Sequence, residues 1–348
     1  DLIEEVIRVL GYDILGDGAP HGTLTPRVKS EAQRSADALR DRVVGLGYRE
    51  SINFSFVDER WERELAGNAD PIRVLNPIAS SLSVMRSSLL GSLIGALRFN
   101  LARKATRVRL FEAGRVFRRD GSVADGPLEV AGVDQPMRLA GLAYGAAEPL
   151  QWGAKERPTD FYDVKGDIEA LLAPRIARFV PATHPALHPG RCARIELDGN
   201  SAGFIGELHP RWRQAYELPS APLLFELDLD AVSRLEVPAF QPLPRQQSAW
   251  RDLALVAGDD VSHEALLKTI MTVAGGPVRS ARLFDVYKPS APVADISAGE
   301  RSLAVRLEIH DDEVTLTDER IDSVVDGVLA ALQRDLGLRL RGRQGTTT

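Results

Sequence analysis

Residues 76–117 read NPIASSLSVMRSSLLGSLIGALRFNLARKATRVRLFEAGRVF: a loop, an apolar-striped segment and a strand in close succession. Leu90, Leu93, Ile94, Leu97 and Leu101 recur at the spacing of one helix face, and Ser87 or Ser88 stands where a hydroxyl accepts the first orphan amides. The spacing predicts an amphipathic helix ending near Arg103. Beyond it, Val108, Leu110, Phe111 and Phe117 give a strand its apolar weight, while Gly114 permits a bend or a close approach of backbone.

Upstream, Leu2, Ile3, Val6, Ile7 and Leu10 form a helical stripe closed by Gly11, with Asp1, Glu4 and Glu5 at i, i+3 and i+4. Three carboxylates on one face offer hard oxygen ligands to a divalent cation, but acidic residues in a first turn also complement the helix dipole; spacing alone leaves both open. The Gly- and Pro-containing loop over 16–25 lacks phosphate-loop spacing. Val28, Ala32, Ala36, Leu39 and Val43 then predict a long helix ending near Gly45 or Gly47, and Ile52, Phe54 and Phe56 alternate along a strand over 51–57.

Downstream, residues 119–137 are acidic, Gly-rich and unpatterned, as in a loop. A strand over 138–144, a helix over 160–172 and strands over 193–197, 201–206 and 223–229 follow. Helices and strands mixed without strict alternation predict an α+β fold, a mostly antiparallel sheet flanked by helices. His184, His188 and Cys192 recur every four residues, but Pro185 and Pro189 fall among them and only three ligands are supplied, which argues against zinc. Three prolines stiffen residues 237–244. Beyond them the order is strand 253–256, helix 262–273, strands 278–287 and 302–310, helix 316–336 and strand 338–340, the β-α-β-β-α-β order of a ferredoxin-like sandwich.

At 348 residues the chain is long enough for two cores. No apolar run approaches a membrane span and no signal peptide opens the sequence, so the cytoplasm is expected and a membrane is not. One cysteine excludes an internal disulfide. A net charge of -6 argues against sequence-blind coating of nucleic acid, though not against a shaped local RNA site.

Asn76, Pro77, Met85, Arg86, Leu89, Leu90, Asn100, Arg103, Phe111, Glu112, Gly114 and Phe117 together resemble the core of phenylalanyl-tRNA synthetase beta subunits. The start of the 160–172 helix, Asp-Phe-Tyr-Asp-Val-Lys-Gly, the turn His188, Pro189, Gly190, Arg191 and the run Gly206, Glu207, Leu208, His209, Pro210 match the same family. Arg251, Asp252, Leu253, Ala254, Phe284, Asp285, Val286, Tyr287, Ser302, Leu303, Ala304, Thr315, Leu316 and Thr317 resemble its ferredoxin-fold anticodon-binding domain. The resemblance implies an organisation: residues 1–15 closing a small helical domain, 20–235 a catalytically silent class II synthetase-like core, 236–245 a linker, 246–343 the anticodon-binding domain and 344–348 a tail.

The resemblance also implies chemistry. Asp1, Glu4 and Glu5 match a magnesium-binding motif of the family whose further ligand lies upstream of this chain. The long helix and strand before residue 57 resemble the first class II motif, which builds subunit interfaces. Catalytic class II subunits hold ATP with two arginines; here Phe117, Arg118, Arg119 and Asp120 only faintly resemble the first motif, and Leu208 stands where the second arginine belongs. The expected role is therefore a non-catalytic beta subunit, paired as an alpha2-beta2 tetramer with an alpha subunit that holds ATP, and binding tRNA(Phe). Stacking on bases needs exposed aromatics, with cations and amides for phosphates and base edges. Tyr287, Phe284, Arg251, Asp285, Lys288 and Arg301 are the candidates, with Arg339, Arg341 and Arg343 as secondary phosphate contacts. Regular alternation sets Phe284 and Tyr287 on opposite faces, so at most one is expected to stack on a base, and Tyr287 is preferred because Pro289 places it near a strand end. From residue 235 onward 13 Lys and Arg stand against 17 Asp and Glu, so binding must rely on shape. A different reading is a stand-alone enzyme built on Asp160, Asp163, His184 and His188.

Overall fold

Alternation along the strand Met137–Tyr144 builds a sheet buried on both faces: Leu139 and Ala143 enter one apolar cluster, Ala140, Leu142 and Tyr144 another. These contacts belong to a computed structural model describing residues 2–14, 16, 18–19, 21–23, 30–240, 246–273, 277–293, 295–312 and 314–342. Seven strands run in the order Arg49–Glu50, Val108–Arg115, Met137–Tyr144, Leu223–Asp228, Asn200–Leu208, Leu187–Leu197 and Arg178–Pro181. Only the first pair is parallel. The helices Ala36–Gly45 and Phe161–Leu172 pack on one face through Leu39, Val43, Val164 and Ile168. The helix Leu90–Leu101 packs on the other through Leu90, Leu93, Ile94 and Leu97. The expected helix-flanked, mostly antiparallel sheet is present. Gly141 leaves room for Phe225, since a Cβ there would lie 2.3 Å from its ring.

Local departures have local causes. The helix expected from Val28 begins at Ala36, where the Ser35 side chain accepts the Ala38 amide; Val28 lies outside the described residues. Residues 51–57 do not form one strand. Only Phe56–Val57 pairs, with Val84–Met85, and Ile52 and Phe54 are 92% and 68% exposed. The span 119–137, expected to be loop, ends in a short pairing of Arg118–Arg119 with Val133–Asp134. At the start of Leu90–Leu101, Ser88 Oγ accepts the Leu90 amide, while the Glu226 carboxylate, on a strand far along the chain, accepts the Leu89 amide at 2.6 Å.

The motif residues of the opening stretch converge on a buried ion pair. Arg86 and Glu112, each 3% exposed, meet at 2.6 Å. Arg86 also donates to the Arg115 carbonyl, and Asn53 donates to Glu112 at 2.7 Å. A Cβ on Gly114 would lie 2.4 Å from the Arg86 guanidinium, so the close approach expected there is that of a side chain.

Ala239–Thr348 forms a second unit, distinct from Asp1–Pro238. Its sheet order is Val278–Tyr287, Glu300–Ile309, Ala249–Gly258, Arg339–Leu340, antiparallel throughout. Leu253, Leu255, Leu303, Val305, Leu307 and Ile309 face the helices His263–Val273 and Asp318–Leu336 through Leu266, Ile270, Val328 and Leu332. The ferredoxin-like order is as expected, and residues 241–245 of the Pro-rich segment lie outside the described residues. No helix among the described residues is long and apolar enough to cross a membrane.

Candidate nucleic-acid interface

Both helices of the second unit pack on one side of its sheet; most of the other side is open, though Val256 and Ser302 on it are buried. Strand register assigns each side chain to a face, because residues directly opposite in an antiparallel pair share one. Leu303, Val305 and Leu307 point to the helices, so Ser302, Ala304 and Arg306 point to the open face, with Asp252 and Arg282 opposite Arg306. The register shifts between Leu283 and Asp285: Leu283 pairs with Val305 and Asp285 with Ala304, leaving Phe284 as the extra residue. Regular alternation would turn Tyr287 to the helices. With the bulge it stands across from Ser302, on the same open face as Phe284.

Both rings are about half exposed, and each lies beside a guanidinium: Arg306 is 5.3 Å from the Phe284 ring centroid and Arg341 is 5.4 Å from that of Tyr287. Expecting at most one of these aromatics on the open face thus fails for a physical reason, since one inserted residue reverses the alternation. Asp285, opposite Ala304, shares that face. Arg251 stands across from Leu307, on the helix side, 3.4 Å from Asp318. Lys288 pairs with Asp259 at 2.6 Å, and Arg301 donates to the Val261 carbonyl. Arg339 is engaged with Glu300, and Arg343 lies outside the described residues. Sequence reading missed Trp250, Arg282 and Arg306; the first had a signal, since Trp250, Asp252 and Ala254 alternate along one strand.

In the larger unit, the residues matched to the nucleotide motifs bond within the protein or lie in its core. Arg118 donates to the Ser87 carbonyl, Arg119 pairs with Asp70, and Leu208 is fully buried. Glu62 accepts from the Ser87 amide and hydroxyl, while Glu226 accepts from Leu89 and Ser88; burial pushes the Glu226 carboxyl above its ordinary range. Asp160 and Asp163 form the capping box of Phe161–Leu172, and Asp163 also takes Arg157. His184, His188 and His209 each accept, through Nδ1, the amide two residues on. Burial, then Arg118, lowers His184 to about 4. The four residues of the stand-alone enzyme reading are therefore turn and cap residues.

Asp1 lies outside the described residues. Glu4 and Glu5 are helix neighbours whose side chains diverge by about 100°, and Glu5 accepts two bonds from Arg8. This pair alone does not fit an octahedral Mg²⁺ site. No group of three or more His, Cys, Asp or Glu gathers among the described residues.

Residues 17–229 match the family model described as the phenylalanyl tRNA synthetase beta chain CLM domain. The chain belongs to this beta chain family. Residues 244–341 match the ferredoxin-fold anticodon binding domain. The phenylalanine–tRNA ligase beta subunit of Ralstonia nicotianae is 48% identical over 346 residues, 98% of this chain and 43% of its own length. That of Bordetella bronchiseptica is 48% identical over 339 residues, 95% of this chain and 42% of its own. The chain thus spans less than half the length of these relatives. A solved pyrrolysyl tRNA synthetase from Desulfitobacterium hafniense, with TM-score 0.41 and 11% identity over 57% of this chain and 66% of that one, is too remote to bear on fold or site.

Proposed function

We propose that this beta-chain segment supports a catalytic alpha subunit of phenylalanine–tRNA ligase and holds tRNA(Phe), without itself carrying the aminoacylation centre. The observation that carries the reading is the open sheet face, where Phe284 and Tyr287 stand beside Arg306 and Arg341 within the residues matched to an anticodon-binding model. Unpaired anticodon bases stack on the two rings, and Asp285 accepts from a base edge. Lys288 reaches phosphate by leaving Asp259, whereas Arg251 and Arg301, which strand register turns to the helix side, are left out of this contact. ATP belongs to the alpha subunit in this reading. Mg²⁺ at Asp1, Glu4 and Glu5 requires ligands beyond the described residues. The assembly is an alpha2-beta2 tetramer in the cytoplasm, with alpha docking on the exposed Ile52, Phe54, Leu75 and Ile78; the pairing of Phe56–Val57 with Val84–Met85 joins the segments that bear them.

In the assembled alpha–beta complex, Tyr287→Ala is expected to weaken tRNA(Phe) binding about 5- to 150-fold, the equivalent of one lost stacking contact. Its rate of phenylalanyl adenylate formation should not change. Equal affinities of variant and parent would remove the anticodon assignment. Incubated alone with ATP and phenylalanine, the purified chain is expected to form no adenylate; adenylate formed without alpha would refute the silent-core reading.

A further inference from the structure

Trp250, the second residue of the strand Ala249–Gly258, is 54% exposed, which leaves much of an indole in water. It stands across from Glu308 and therefore on the open face. Its indole N–H makes no hydrogen bond among the described residues. Glu308 does not serve it, because that carboxylate already accepts from Ser248 and Ser280, each at 2.9 Å. Among the described residues the strand flank beside Trp250 carries no paired strand, since Arg339–Leu340 pairs with Leu255 and Val256 and the last bond runs from the Arg341 amide to the Ala254 carbonyl. In the next row Arg306 is held by Asp252 through two bonds of 2.7 Å, but Arg282 has no carboxylate or carbonyl partner among the described residues. A large ring with a free donor, next to an unneutralised guanidinium, fits a stacked base and its phosphate.

We propose that Trp250 is a second base-stacking position, taking an unpaired nucleotide of the same RNA loop outside the triplet held near Tyr287. The inference rests on the open face being the RNA site. Six residues of Glu300–Ile309 separate the row of Tyr287, at Ser302, from the row of Trp250, at Glu308. That is roughly 20 Å along the strand. A stacked triplet covers less than about 10 Å, so one triplet does not fill both positions. Trp250 therefore extends the track beyond the anticodon, adding affinity and fixing the direction of the strand without reading a base edge.

The test uses the full chain and an anticodon-arm hairpin of tRNA(Phe) carrying 2-aminopurine at one loop position at a time. Trp250→Ala is expected to weaken binding about 5- to 150-fold. It should also change the bound fluorescence at one position outside the triplet, and leave the position affected by Tyr287→Ala as it was. Trp250→Phe should keep most of the affinity. The salt dependence of Trp250→Ala should match the parent, whereas Arg282→Ala should reduce the slope by about 0.7–0.9. Unfolding curves matching the parent establish that the variants fold. If Tyr287→Ala weakens binding and Trp250→Ala does not, this inference fails and the anticodon reading stands; if neither does, the open face is not the RNA site. A loss of affinity in Trp250→Ala with no position-specific fluorescence change also overturns it.

Discussion

Arg86→Met is expected to lower the unfolding free energy of the larger unit by about 3–5 kcal/mol, the usual cost of leaving one member of a buried ion pair without its partner. Glu112 would keep only Asn53, whose side chain donates to one oxygen at 2.7 Å and whose backbone amide lies 3.5 Å from the other. A net destabilisation of this size does not mean that the pair is strongly stabilising. Desolvation of both charges offsets much of their attraction, so the double variant Arg86→Met/Glu112→Leu should recover most of the loss. Urea unfolding of the parent, both single variants and the double variant checks this. A single-variant loss below about 1 kcal/mol would mean that the pair is hydrated, because exposed pairs contribute no more than that. Arg86 and Glu112 are among the motif residues of the opening stretch, and the bonds they make are structural. They lock the Val84–Met85 segment to the strand Val108–Arg115, beside the exposed apolar segment proposed to meet alpha.

The second large effect is pH dependence centred on His184. Burial, then the positive Arg118, holds its folded pKa at about 4 against an ordinary 6.5. Below pH 6.5 the unfolded chain takes up a proton that the folded one refuses. Stability is therefore complete above 6.5 and declines as pH falls toward 4, at roughly 1.36 kcal/mol per pH unit, or about 3 kcal/mol in all. Glu226 acts in the opposite sense: its raised pKa makes its contribution largest at low pH and lost as pH rises past its folded value. The parent curve alone therefore mixes the two. His184→Asn separates them, because an amide oxygen still accepts the Ala186 amide but does not titrate. The stability of the parent relative to this variant should be flat above pH 7 and fall by about 3 kcal/mol by pH 4. A difference independent of pH would show that His184 is protonated as readily in the folded chain as in the unfolded one.

Much of the fold was legible from periodicity. The stripe Leu90, Leu93, Ile94, Leu97 and the alternation Leu303, Val305, Leu307, Ile309 each had one solution, because helix and strand periods differ and every apolar residue in them found a core. The same logic misread Ile52 and Phe54. Their alternation is real, but the surface they make is exposed among the described residues. The capping of Leu90–Leu101 was read half correctly: Ser88 contributes, while the stronger acceptor for Leu89 is Glu226, which no local pattern reveals.

The candidate interface divides in the same way. Composition and motif singled out Tyr287 and Phe284, and the β-α-β-β-α-β order gave the sandwich that carries them. Which side chains share a face of its sheet was not readable, since the bulge at Phe284 carries no glycine or other marker and arises from how Val278–Tyr287 fits Glu300–Ile309. The amino-acid order alone thus determined the elements, their sequence and the family, because these depend on local periods and short motifs. Only tertiary pairing decided that Tyr287, Phe284 and Trp250 face the same way and Arg251 does not. A shift of one residue in strand register reverses every side chain beyond it, and that register is set by contacts between distant parts of the chain.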